Sequence, residues 1–517
     1  MSALFDPWRL AQVAWEVNCA HAGGPDAIAA LQRDRLTSLL DAARGSGLMR
    51  PHLEGRASAD IALETLPVMH KRALMDAFAQ WVTDPALQRD ALQAFTRDPA
   101  NIARPYLGRY QVWESSGTSG TPAIFVQDAR AMAVYDALEA LRRAQPRSLL
   151  PLWPAAAPIG QRIAFVGAIS GHFASYVSMQ RLRQLNPWLA PSLQSFSIEQ
   201  ALDTLVAQLN AFAPTVIATY PTAASMLAGE AARGALQLHL REVWTGGETL
   251  GPALRQRIER DFDCGVRNSY GASEFLAMGW ECAQGHMHLN TDWLILEPVD
   301  RHYRPVAPGK VPHTVLVTNL ANHVQPLIRY DLGDQVRISQ TRCACGSPLP
   351  VIDVQGRNDD MLVMAGRGGR SVTLLPLALC TVMEDEAGVF DFQLCQRDAH
   401  TLTLRLGGHG GEVADAAVRC HAALQRFCRD QGVVGLRLVD EHAMALARGR
   451  SGKVQRIIAV ANPPKASGRR PRGTHHDRRA RAGVVVRGRR LGVRGGRAGA
   501  GKGGRDLAGD MAGFPHA

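Results

Sequence analysis

No uncharged apolar run in this chain reaches the roughly 18–20 residues that a bilayer span needs. A membrane-spanning protein is therefore not expected, although 46% of the residues are apolar. The opening residues Met1-Ser2-Ala3-Leu4-Phe5-Asp6 lack a basic segment followed by an apolar stretch. No secretory signal is expected, and the chain reads as cytoplasmic. Cysteine is sparse, nine in 517 residues, which argues against a disulfide framework. Cys19, Cys264, Cys380, Cys395, Cys420 and Cys428 are scattered among apolar neighbours and read mostly as buried small hydrophobes. No internal repeat is visible, and the Gly-xxxx-Gly-Lys-Ser/Thr phosphate loop is absent.

The basic balance is local. Residues Ala461–Ala517 carry 14 Lys plus Arg against 3 Asp plus Glu, which accounts for the whole net charge of +11. Residues 1–460 are formally neutral, so nucleic acid and membrane partners are not expected for the folded part. The segment 461–517 is Arg/Gly-rich, nearly free of aromatics and without periodicity, and is expected to be disordered. A frameshift in GC-rich coding sequence and an Arg/Gly-rich RNA-binding tail are the two readings of it.

A chain this long predicts two or three units. Apolar positions in Ile28–Leu31 and Leu36–Leu40 recur at helical spacing, so about 1–110 reads as a helical lead-in. Strand and helix then alternate: a buried strand Arg162–Gly167, a helix carrying Leu202, Leu205 and Leu209, and a strand Val216–Tyr220. Next come a helix beginning at Pro221, a strand at Val243-Trp244-Thr245 and a helix with Pro252 in its first turn. The fold class is α/β, with ligand sites expected at the strands' C-terminal ends. About 285–355 is β-rich, and Gly356–Asp360 reads as a hinge before a smaller mobile α+β unit. The expected boundaries are 1–356, 357–460 and 461–517.

Four segments carry chemistry. Ser115-Ser116-Gly117-Thr118-Ser119-Gly120-Thr121-Pro122 combines glycines that admit phosphate to the backbone with hydroxyls that donate hydrogen bonds. Tyr270-Gly271-Ala272-Ser273-Glu274 puts an acid after a glycine turn, suited to a hard cation. Arg329–Asp334 ends on a second acid, and Ser451-Gly452-Lys453-Val454-Gln455-Arg456 supplies a late lysine. Each alone reads as a polar turn or a solvated charge. Together they are the parts needed to activate a carboxylic acid with ATP: a polyanion cradle, a metal-holding acid and positive charge for the leaving group.

In this order the segments resemble the adenylate-forming superfamily of acyl-CoA synthetases, luciferases and adenylation domains, and within it the phenylacetate–CoA ligase-like branch. The resemblance covers about 100–460. It implies that Ser115–Thr121 cradle phosphates, that Glu274 holds Mg²⁺, that Ser273 lies near the α-phosphate, and that Tyr270 and Gly271 lie beside the adenine. Gly246-Gly247-Glu248 resembles the strand end bordering the adenine. Asp334 and Arg357 are the implied ribose contacts, Asp359 the pivot of the small domain, and Lys453 the residue that neutralises charge during adenylation. Ala123 stands where many members carry lysine, and Ser273 where many carry threonine. A substrate pocket is expected between Phe165, His172, Phe173 and Tyr176 and the turn at 246–248, although His172 reads equally as a packed core histidine.

Cys282, His286, His288, Cys343 and Cys345 offer soft ligands that suit tetrahedral zinc. The same branch shows a Cys, a His before an Asn-x-Asp run, then Cys-x-Cys-Gly. That match selects His288 over His286 and implies a structural Zn²⁺ held by Cys282, His288, Cys343 and Cys345.

The function implied is an ATP- and Mg²⁺-dependent acid–thiol ligase that joins an aryl or arylacetic acid to CoA. The alternatives are a related enzyme passing the acyl or adenylyl group to a carrier protein, an amine or a flavin-type cofactor, and a non-catalytic nucleotide-binding relative. A homodimer stays open, and no sequence feature fixes the oligomeric state.

Overall fold

The computed structural model describes residues 5–115, 123–143, 161–198, 200–357, 361–374, 376–407, 411–442, 446 and 454–459. Among the site residues proposed from sequence, Ser116–Thr121, Asp359 and Lys453 lie outside these, as does the segment 461–517. The described residues belong to one compact unit, Met1–Lys465.

The lead-in is helical, as its periodicity requires. Helix α1, Pro7–Ala43, is capped by Asp6, whose carboxylate accepts from the Trp8 and Arg9 amides at 3.0 and 3.1 Å. Gly24, at φ 75°, breaks it before Pro25 into two arms. Arg35 on the second arm ties back to Glu16 on the first at 2.8 Å. Leu39, Leu40, Trp81, Trp113 and Phe275 belong to the core beneath it.

A nine-stranded mixed sheet carries the site. Its strands are β1 Ile163–Gly167, β2 Leu193–Ser197, β3 Val216–Thr219, β4 Glu242–Gly246, β5 Gly265–Ala272, β6 Phe275–Glu281, β7 Met287–Leu289, β8 Asp334–Ile338 and β9 Val351–Arg357. The spatial order is β8-β9-β7-β6-β5-β4-β3-β1-β2. Strands β1 to β5 run parallel, with β1 and β3 the short, apolar, buried ones, and β5 onward is antiparallel. Pro221 and Pro252 open helices α2, Pro221–Ala232, and α3, Pro252–Phe262, where a first turn has no use for the missing amide. Val166, Ile217, Leu227, Val243 and Ile258 form the core of this part.

The β-rich stretch forms a three-stranded antiparallel sheet of Leu294–Val299, Thr314–Asn319 and Tyr330–Asp331. Beyond residue 361 a separate core collects Leu362, Leu379, Phe392, Leu404, Leu424 and Ile457. It fills a four-stranded sheet of Phe392–Gln396, Thr401–Leu406, Arg437–His442 and Ile457–Ile458, with a helix at Gly411–Asp430. Cys380, Cys395, Cys420 and Cys428 are buried as expected, but Cys19 is exposed on the first arm of α1 and Cys264 is half-buried. No helix among the described residues is long and apolar enough to cross a membrane.

Candidate active site

The parallel part of the sheet ends where β4 and β5 reach their C-termini, and the acids gather there. Tyr270, Gly271 and Ala272 close β5, and Ser273-Glu274 turns the chain into β6. The β5–β6 register slips between Tyr270 and Ala272. At this bulge a Cβ on Gly271 would lie 2.0 Å from the Leu276 carbonyl oxygen, so only glycine fits. The bulge turns Glu274 to the sheet's end.

Two tyrosines then fix the two acids. Tyr330 Oη donates to Glu274 Oε1 at 2.8 Å, and Tyr270 Oη donates to Asp334 Oδ2 at 2.8 Å. Asp334 opens β8, and its backbone register pairs it with Arg357 on β9, so the two implied ribose contacts are cross-strand neighbours. Asn319 Nδ2 donates to the Glu274 carbonyl at 3.0 Å and to Tyr135 Oη at 3.1 Å, anchoring the turn from the β-rich part. Trp113 Nε1 donates to the Ser273 carbonyl at 2.8 Å.

That last bond ties the turn to the hairpin that carries the hydroxyl-rich segment. Strands Gln111–Glu114 and Ile124–Gln127 pair antiparallel, with Glu114 opposite Ile124. Ser115 closes the hairpin: its amide donates to the Ala123 carbonyl at 2.8 Å and its Oγ accepts from the Ala123 amide at 2.9 Å.

On the other flank, the turn after β4 holds Glu248. Its Oε2 accepts from the Thr222 amide at 3.0 Å, in the first turn of α2, and its Oε1 accepts from the Val454 amide at 3.1 Å. A late segment more than two hundred residues away is thus bound beside the turn at 246–248, and Val454 is the residue after Lys453. The structure therefore brings Ser115, Glu248, Tyr270, Ser273, Glu274 and Asp334 onto linked strand ends.

The residues expected to line the substrate pocket divide. Phe165 and Phe173 are buried and Tyr176 is half-buried. His172 is 1% exposed, with its ring 5.8 Å from that of Phe95, and burial holds its pKa below the usual value. It packs beneath the hairpin, where the Glu114 amide donates to its carbonyl at 2.7 Å.

At the far end of β6 the soft ligands meet. The donor atoms of Cys282, His288, Cys343 and Cys345 all lie within 4.8 Å of one another. Cys282 Sγ and Cys343 Sγ are 3.7 Å apart, and Cys345 Sγ is 3.3 Å from His288 Nε2. A tetrahedron with metal–sulfur bonds of about 2.3 Å has edges of about 3.8 Å, so the spacing fits zinc. His288 Nδ1 lies 2.9 Å from the Leu349 carbonyl, a contact that keeps the proton there and leaves Nε2 free to ligate. Amides of Cys345 and Ser347 donate to the Cys343 and Cys345 sulfurs at 3.5 and 3.4 Å. His286 Nδ1 stands 3.1 Å from Cys343 Sγ, at the rim of the cluster.

Sequence reasoning missed Tyr330, Trp113 and Asn319 as supports. Tyr330 lay inside a quoted motif, but nothing in the motif says which acid its hydroxyl meets. Trp113 and Asn319 carried no local signal.

The fold is similar to that of a solved CoA ligase. 2-Hydroxyisobutyryl-CoA ligase in its postadenylation state, in complex with 2-HIB-AMP, superposes with a TM-score of 0.57 at 21% identity. That alignment covers 84% of this chain and 89% of the ligase. A second complex of that ligase in the same state gives 0.57 at 20% identity over the same shares. By sequence, the chain is 26% identical over 212 residues to the protein CapK of Staphylococcus aureus, a match spanning 39% of this chain and 43% of CapK. No protein-family model matches the chain.

Proposed function

We propose that this protein activates a carboxylic acid with ATP and passes the acyl group to CoA. The observation that carries the reading is the set of paired acids at the end of β5, Glu274 with Tyr330 and Asp334 with Tyr270, beside a turn to which Val454 is bound. Six roles follow. The Ser115–Thr121 segment cradles the phosphates, Ser273 donates to the α-phosphate, and Tyr270 and Gly271 border the adenine with Gly247 and Glu248. Asp334 and Arg357 accept and donate at the ribose hydroxyls, and Lys453 balances charge at the α-phosphate. Asp359 is the pivot about which 357–460 reorients.

In the first step a carboxylate oxygen attacks the α-phosphorus of ATP, and the bond to the bridging oxygen breaks, releasing pyrophosphate and leaving an acyl-adenylate. In the second the CoA sulfur attacks the acyl carbon, the thiol proton passes to solvent, and AMP leaves. Glu274 would hold Mg²⁺, which supplies charge compensation for the triphosphate. Preorganised donors lower the barrier because they need not reorganise as charge moves to the leaving group. An aryl or arylacetic acid is the substrate class favoured by Phe165, Phe173 and Tyr176 near the ends of β1 and its loop. Cys282, His288, Cys343 and Cys345 would hold a structural Zn²⁺ with all four positions filled by protein, which pins the β6–β7 turn to the 343–346 loop.

The test is acid-dependent exchange of pyrophosphate into ATP across a panel of aryl, arylacetic and short hydroxy acids, then thioester detection with CoA added. Exchange with an acid and CoA-dependent AMP release are expected. Exchange with no CoA thioester would move the reading to another acceptor, and no exchange with any acid would remove catalysis altogether.

A further inference from the structure

The late segment is fastened to the β4 side by more than the Val454 amide. Two residues on, the guanidinium of Arg456 pairs with the Glu384 carboxylate and donates to the Thr249 carbonyl at 3.2 Å. Both side chains are buried, Arg456 at 7% exposure and Glu384 at 2%. Each also belongs to the C-terminal core region. The Arg456 carbonyl accepts from the Leu394 amide at 2.7 Å, Gln393 Nε2 donates to the Gln455 carbonyl at 2.8 Å, and Glu384 lies in the helical turn Val382–Glu386. The pair therefore stands where the 362–457 core meets the 248–251 turn of the large sheet.

Gly251 marks how close that meeting is. A Cβ built there would lie 2.6 Å from Glu384 Oε2. Its backbone, at φ −75° and ψ 160°, is one that alanine adopts without strain. A side chain here, at the N-cap of α3, would have to displace the Glu384 carboxylate that holds Arg456, so glycine admits the close approach of two parts of the chain. With Glu248 holding Val454 from one side and Glu384 holding Arg456 from the other, residues 454 and 456 are clamped on one turn. The residue preceding them is the lysine assigned to adenylation.

We infer that Glu384, Arg456 and Gly251 are positioning residues that clamp the 454–456 segment onto the 248–251 turn for the adenylate-forming step alone. This rests on the function proposed above. A buried ion pair is well suited to the task because it is directional and yields a defined register, whereas an apolar contact would slide. None of the three needs to touch substrate, and none is needed once the adenylate exists.

The test is Gly251→Ala in the full chain, with Glu384→Gln as the second variant. Acid-dependent pyrophosphate exchange is expected to fall on the order of 10²-fold, the penalty of misplacing a catalytic group by about 1 Å. Conversion of chemically prepared acyl-adenylate and CoA to thioester should stay at the wild-type rate, with the melting midpoint of Gly251→Ala unchanged. Amide hydrogen exchange at 454–456 should accelerate in both variants. Equal losses in both half-reactions, or no loss in either, would overturn the inference. If the wild type shows no exchange with any acid, the functional reading fails while the clamp is still decided by hydrogen exchange: faster at 454–456 in Gly251→Ala supports it, and unchanged rates remove it.

Discussion

Strand β6 joins two clusters of opposite character. One end begins after Glu274, an oxygen ligand whose carboxylate is steadied by a tyrosine hydroxyl. The other ends before Cys282, whose thiol meets two more thiols and an imidazole. At the first end the side chains offer oxygen atoms around a turn held by Trp113, Asn319 and Tyr330. At the second, four soft donors fill a tetrahedron by themselves. Under the function proposed, the same hairpin would carry an open site suited to a hard cation with substrate oxygens and a closed one suited to a structural metal.

Substitutions at the two ends should have opposite consequences for activity and stability. Lys453→Ala should lower adenylate formation on the order of 10³-fold while preformed adenylate remains usable, measured as separate half-reactions. Glu274→Gln, at the open end, should reduce pyrophosphate exchange by about 10²-fold with little change in melting midpoint. Cys345→Ser, at the closed end, should do the reverse. Zinc content falls from one equivalent and the midpoint drops by several degrees, while the exchange rate per folded molecule stays within about twofold. An intact protein with no zinc by metal analysis would remove the closed end of the comparison. Tyr330→Phe removes one hydrogen bond to a carboxylate, about 1.5–3 kcal/mol, and should weaken activity by at most about 10- to 100-fold through Mg²⁺ and ATP rather than acid binding.

The smallest expected effect on activity is that of pH, which acts through stability. His323 follows the Asn319–Asn322 turn that supports Glu274, and burial, with Arg130 and Arg9 nearby, lowers its pKa to about 4. The unfolded chain therefore takes up a proton near pH 6.5 that the folded chain refuses until about pH 4. Stability is full above pH 6.5 and is lost as pH falls toward 4, by no more than about 3 kcal/mol. His323→Asn should flatten that slope in melting curves taken between pH 4 and 7.

Much of the open end was legible because its residues travel in short motifs. Gly271 and Glu274 sit three apart, and the bulge that needs one presents the other. The parallel strands announced themselves through apolar runs and through Pro221 and Pro252 at helix starts. The supports did not. Trp113, Asn319 and Tyr330 act across 160, 45 and 56 residues of chain, and a single aromatic or amide leaves no period to read. Nor could Glu384 and Arg456, separated by 72 residues, be recognised as partners, since each looks like an ordinary surface charge. The antiparallel extension of the sheet from β6 to β9 was likewise hidden, because the β-rich residues gave strands without saying which edge they join. The arms of α1 were read as helix, but the break at Gly24 was not.

The proposed function requires that these linked strand ends surround a single nucleotide. A crystal structure with a non-hydrolysable acyl-adenylate analogue tests it most directly. The expected density places the adenine between the 246–248 turn and Tyr270, the ribose hydroxyls on Asp334, and the phosphate mimic beside Ser273. An analogue bound elsewhere, or a ribose out of reach of Asp334, would contradict it.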